Sequence, residues 1–149
     1  MNNSIFFNKA DKSITLSNRV MLKSFLAQQM KKEGIKVECL QYVFCSDKYL
    51  LNINKQYLNH DYYTDIISFD LSEIKGQLVG DVYISVDRVK ENAKTMKNTQ
   101  VNELLRVIFH GALHFCGYKD KKSADAKLMR SMEEKWLKAY LKSVPRGTI

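Results

Sequence analysis

The chain has 149 residues, 45 % hydrophobic and 27 % charged, with a net charge of +8. That length buries a core without disulfide staples, and the composition excludes a disordered or fibrous chain, so a single domain over residues 1–149 is expected. No apolar run approaches the roughly 18 residues of a membrane span. The start, "MNNSIFFNKADK", lacks the basic region and long apolar stretch of a secretory signal, so a cytoplasmic location is expected. Cys39, Cys45 and Cys116 are scattered and odd in number, which predicts reduced thiols with no disulfide partner. The basic balance favours polyanionic partners without singling one out.

In chain order, "SIFFN" reads as a short strand. Residues 17 to about 33 read as a helix. Ser17 is its cap, Val20, Met21, Phe25, Leu26 and Met30 fall at helical spacing, and Gly34 is its stop. "IKVECLQYVFC" is rich in β-branched and aromatic residues and reads as a strand, although its alternation is imperfect. "SDKYLLNINKQYL" is a helix capped by Ser46 or Asp47. "TDIISFDL" and "GQLVGDVYISV" are strands. Three helices follow, at about 87–96, 99–115 and 123–141, the last with a core stripe of Leu128, Met132, Trp136 and Tyr140 flanked by Met129 and Leu137. "SVPRGTI", from about 143, reads as a loose tail. This order predicts an α+β fold, a small mixed sheet of about four strands with helices packed on it.

The helix from residue 99 is unusual. Leu104, Leu105, Val107, Ile108, Phe109, Ala112, Leu113 and Phe115 cover most of its circumference, which predicts a central, buried helix. Its polar residues, Glu103, Arg106, His110 and His114, form one stripe. Residues four apart on a helix differ by about 40° in direction and about 6 Å in height, so His110 and His114 can converge on one metal ion. Two histidines hydrogen-bonded in a core are the bland alternative. Gly117 suits a helix end at positive φ, which would bring Asp120 back toward the imidazoles. The spacing H-x-x-x-H-x-x-G-x-x-D follows the logic of metzincin peptidases. Gly111, however, stands where their catalytic glutamate would be.

"HGALHFCGY" resembles the signature of the YbeY family, bacterial metal-dependent endoribonucleases of ribosomal RNA maturation, whose usual pattern is H-G-x-L-H-x-x-G-Y-D-H. "TDIISFD" is similar to the family's T-[DN]-V-L-S-F segment and "GDVYIS" to its G-D-I-x-I-S strand. The resemblance spans about residues 51–137. It implies a zinc ion held by the three residues of the signature. His110 and His114 match the first two, and Asp120 takes the place of the usual final histidine, because this chain reads Lys119-Asp120 where the family reads D-H. Aspartate is a competent zinc ligand at about 2.0–2.2 Å. Cys116 is a rival ligand, but it lies about 200° around the helix from His114. Leu58 stands where the family often carries a basic residue.

The implied function is a zinc-dependent, single-strand-specific endoribonuclease acting in small-subunit rRNA precursor maturation and ribosome quality control. Three protein ligands leave a position for water, and zinc brings the pKa of such water to about 7. Arg106, Asp65 and Ser68 are supporting site residues; the alternatives are an ion pair of Arg106 with Glu103 or a carboxylate on the sheet, and a buried turn in which Asp65 and Ser68 bond their own backbone. Lys119, Lys121 and Lys122 are expected to attract RNA, or else to form a solvated turn. Tyr62 and Tyr63 could stack on bases or merely pack. The rival functions are a non-catalytic, zinc-stabilised ribosome-associated RNA-binding factor and, behind it, a metallopeptidase.

Overall fold

The computed structural model describes residues 4–145. Strands β1 (Ile5–Lys9), β2 (Lys36–Cys45), β3 (Ile66–Asp70) and β4 (Gln77–Ser85) form one sheet in the order β1-β2-β4-β3. β1 and β4 run parallel to β2, while β3 lies antiparallel to β4 at the edge. The helices are α1 (Arg19–Lys32), α2 (Asp47–Leu58), α3 (Val86–Thr95), α4 (Gln100–Phe115) and α5 (Ser123–Ser143). The expected mixed four-stranded α+β architecture is the one that forms.

The imperfect alternation of residues 35–45 has a physical cause. A β-bulge at Glu38 shifts the register, with Val37 opposite Leu78 and Cys39 opposite Val79. The extra residue brings Val37 onto the same face as Leu40, Tyr42 and Phe44, and all four join the main core. That core also takes Leu78, Val82 and Ile84 from β4 and apolar side chains from α1, α3, α4 and α5. On the opposite face Leu50 and Ile53 of α2 cover only Cys45 and Ile67, with Phe69 and Tyr83 packed alongside. Asp81 lies on this second face, beside Tyr57 and Tyr83.

Four details differ from expectation. α1 begins at Arg19, with Asn18 rather than Ser17 at the cap, at φ 56°, a left-handed conformation that asparagine tolerates. Its buried stripe is Leu22, Phe25, Leu26 and Met30, so Val20 faces out. In α5 the buried residues are Met129, Glu133, Trp136 and Tyr140, while Leu128 is 51 % exposed. The stripe is rotated by one residue because Phe109 of α4 packs against Trp136 and Tyr140, with ring centroids 5.9 and 6.1 Å away. α5 also continues through Ser143, whose hydroxyl donates to the Tyr140 carbonyl, and Val144 packs on the core. The expected loose tail therefore does not begin at residue 143. Its residues 146–149 lie outside the described part.

Candidate metal centre

α4 starts where Thr99 Oγ1 accepts the Asn102 N–H at 3.1 Å and caps the helix. Tyr42 of β2 donates its hydroxyl to the Ile108 carbonyl at 2.9 Å and pins the helix to the sheet. The approach is close because two glycines leave room. A Cβ on Gly80 would stand 2.8 Å from Phe115 Cζ, and one on Gly111 would stand 3.0 Å from Ile66 Cδ1. Gly111 therefore looks into the sheet. A glutamate there, as in the peptidase motif, has no room.

The helix ends in a Schellman motif. Gly117 adopts φ 99°, and the Tyr118 N–H reaches back to the Leu113 carbonyl at 3.1 Å. This turn returns the chain over the polar stripe. Asp120 Oδ2 comes to lie 3.1 Å from His110 Nε2 and 3.3 Å from His114 Nε2, and the two Nε2 atoms are 3.0 Å apart. Two ligands held about 2.0–2.1 Å from one tetrahedral ion are themselves about 3.3 Å apart. The three donor atoms thus already have the mutual spacing that a tetrahedral ion requires. They also face an open cleft of about 630 Å³ along edge strand β3, with Asp65 and Ser68 in its wall.

The protonation pattern fits the same reading. His110 Nδ1 is 2.6 Å from Glu133 Oε2. A carboxylate accepts, so Nδ1 is the donor, and in the neutral ring Nε2 is then the nitrogen with the lone pair. That lone pair then meets a carboxylate oxygen at 3.1 Å, an arrangement of two acceptors that calls for a cation or a proton between them. Glu133 itself is buried. Burial works against its charged form, but His110 and Arg106 outweigh it and hold the carboxyl below the ordinary range.

The other predicted residues lie as follows. Arg106 lines the cleft but forks onto Glu103, with Nε to Oε1 at 2.9 Å and Nη2 to Oε2 at 2.6 Å. Asp65 Oδ2 accepts from Asn92 Nδ2 at 3.2 Å and stands 4.0 Å from Arg106 Nη2. Lys119, Lys121 and Lys122 are exposed around the turn, and Lys119 lines a separate groove with Glu33 and Cys116. Cys116 points to that groove and not to the cleft. Burial, with help from Glu33, pushes its thiol up to about 12, so it stays protonated. Tyr62 and Tyr63 are exposed. Tyr62 stacks on His60, and the Arg88 guanidinium lies 5.1 Å from the Tyr63 ring centre. The Glu103 pair is the alternative that the sequence offered for Arg106, whereas Glu133 has no place in the sequence reading. The available signal was a charged residue four after Met129 and three before Trp136, on the apolar side of α5.

Two imidazoles on a helix packed against a mixed sheet, and a carboxylate from the turn that follows, converge in an open cleft and define a candidate metal-dependent hydrolase. The chain belongs to the YbeY family of endoribonucleases, since the family described as Endoribonuclease YbeY matches residues 5–141. The Endoribonuclease YbeY of Cytophaga hutchinsonii is 48 % identical over 131 residues, 88 % of this chain and 92 % of that one. That of Flavobacterium psychrophilum is 50 % identical over 119 residues, covering 80 % and 81 %. The solution structure of TM1509 from Thermotoga maritima shares the fold, with a TM-score of 0.58 at 23 % identity, over 97 % of this chain and 99 % of that one. Among the described residues, no helix is long and apolar enough to cross a membrane.

Proposed function

We propose that this protein is a zinc-dependent endoribonuclease that cuts single-stranded segments of ribosomal RNA precursors in the cytoplasm, in maturation and quality control of the small subunit. The observation that carries this reading is the convergence of His110, His114 and Asp120 at ligand spacing inside an open cleft. The names of the relatives at 48 % and 50 % identity support RNA as the substrate.

His110, His114 and Asp120 are the residues that would hold the ion. When bound, a zinc ion lowers the pKa of water and polarises a phosphoryl oxygen. The chain supplies placement. α4 fixes both imidazoles on one rigid helix, and the Gly117 turn delivers the carboxylate. Asp65 and Ser68 line the β3 side of the cleft and would meet the substrate strand there. Among the described lining residues, the only cation apart from the histidines is Arg106, already paired, while Asp65, Asp70 and Asp120 are acidic. A polyanion would therefore gain from the ion's charge inside the cleft and from Lys119, Lys121 and Lys122, exposed on the chain around Asp120.

Metal content and cleavage of single-stranded against duplex RNA, measured for the native chain beside Asp120→Ala, test the reading. A folded variant that binds RNA but neither holds zinc nor cleaves supports the enzyme. A chain that unfolds with chelator and never cleaves supports a structural zinc in an RNA-binding factor instead. A 2′-deoxy nucleotide at the scissile position separates attack by water from attack by the RNA's own hydroxyl, because only the former survives it. Cleavage of a peptide panel would revive the peptidase reading, which Gly111 opposes.

A further inference from the structure

Arg106 sits where a cleft-lining cation would be expected to meet phosphate, yet its guanidinium is committed elsewhere. One edge forks onto Glu103, and Nη1 reaches Glu133 Oε1 at 2.9 Å. The other oxygen of Glu133 accepts from His110 Nδ1 at 2.6 Å. Glu103 is 0 % and Glu133 2 % exposed, so neither carboxylate has water as an alternative partner. Arg130 approaches the same Glu133 oxygen only at 3.6 Å and from a half-exposed position.

Two buried carboxylates against one guanidinium leave one negative charge over, and it falls on the His110 side. The links join residues 103 and 106 of α4 to residue 133 of α5 and return to residue 110 of α4. We propose that Arg106 and Glu133 are positioning residues of the metal centre: Glu103 holds Arg106, Arg106 holds Glu133, and Glu133 fixes the His110 ring with Nε2 toward His114 and Asp120. The proposal assigns Arg106 to metal affinity and not to phosphate binding. It rests on the metal-centre reading above but not on RNA cleavage.

A carboxylate bonded to the second nitrogen of a ligand imidazole fixes its tautomer and raises its basicity, and its loss typically weakens metal binding 10–100-fold. The test is zinc affinity by competition with a chromogenic chelator, without RNA, for the native chain, Glu133→Gln, Arg106→Met and Arg106→Lys. Glutamine keeps the size and an acceptor for Nδ1–H, and it leaves Arg106 paired with Glu103, so the fold is retained; circular dichroism checks this.

The expected result is zinc binding weakened about 10–100-fold in Glu133→Gln. Arg106→Met shifts in the same direction and Arg106→Lys recovers part of the loss. Affinity of the zinc-free proteins for a short single-stranded RNA, read by fluorescence anisotropy, stays unchanged. Unaltered zinc affinity in folded Glu133→Gln overturns the proposal. So does an Arg106→Met that loses RNA affinity with zinc affinity intact, and so does a native chain that binds no zinc. If Arg106→Met fails to fold, Glu133→Gln and Arg106→Lys decide. A native chain that binds zinc but cuts no RNA counts against the nuclease reading alone.

Discussion

At the scale of single residues, Asp120 sets the character of the centre. Its oxygen lies 3.1 and 3.3 Å from the two imidazole nitrogens without any further movement of the turn. The shorter reach of aspartate relative to histidine is thus met by the backbone. Asp120→Ala removes one of three donors and should weaken zinc binding at least tenfold, about 1.4 kcal/mol, in a chelator competition. Asp120→His removes one negative charge beside the ion. A more positive centre acidifies water more, so the midpoint of the pH–rate profile for RNA cleavage should fall. An unchanged or higher midpoint would show that the carboxylate does not reach the ion.

At the scale of elements, close packing of α4 on β4 places the cleft wall. Gly80 lies under the Phe115 ring, and a Cβ there would stand 2.8 Å from Cζ, 3.2 Å from Cε1 and 3.3 Å from Cε2. Gly80→Ala should therefore destabilise the protein by about 1–3 kcal/mol in urea unfolding, and Phe115→Leu in the same chain should recover part of it. A second device joins the ends of the parallel strands. Asp87, at the start of α3, accepts the Asp47 N–H at 2.9 Å and pairs with Lys12. The backbone donor first and Lys12 second hold its carboxyl below the ordinary range, against some opposing burial. A lowered folded-state pKa contributes stability that is fully present above the unfolded value, about 4, and is lost as pH falls through the folded one. Melting temperatures of Asp87→Asn should thus lie below native at pH 7, with the gap closing below about pH 4. A gap independent of pH would remove the charge from the explanation.

At the scale of the whole molecule, the net charge of +8 coexists with an acidic cleft. Long-range attraction of RNA must then come from the surface, with lysines such as Lys119, Lys121 and Lys122 beside the metal turn. Each phosphate contact to single-stranded RNA contributes about 0.7 to the slope of log affinity against log salt. Replacing these three lysines with alanine should flatten that slope by up to about 2, while zinc affinity stays the same. An unchanged slope would make them a solvated turn.

Much of the centre was legible in the sequence because its parts are close along the chain. Helical geometry alone puts Glu103, Arg106, His110 and His114 on one stripe, and a glycine three residues past His114 turns the chain back within reach. Those relations involve at most a few turns of helix, so backbone geometry settles them before any packing occurs. The sheet order β1-β2-β4-β3, the bulge at Glu38 and the rotation of α5 that buries Glu133 instead of exposing it were decided only in the folded structure. The His110–Glu133 bond joins residues 23 apart, and its existence depends on how Trp136 and Tyr140 seat against Phe109. Side-chain packing between elements, which no local spacing encodes, chooses the partners that hold the ligands still.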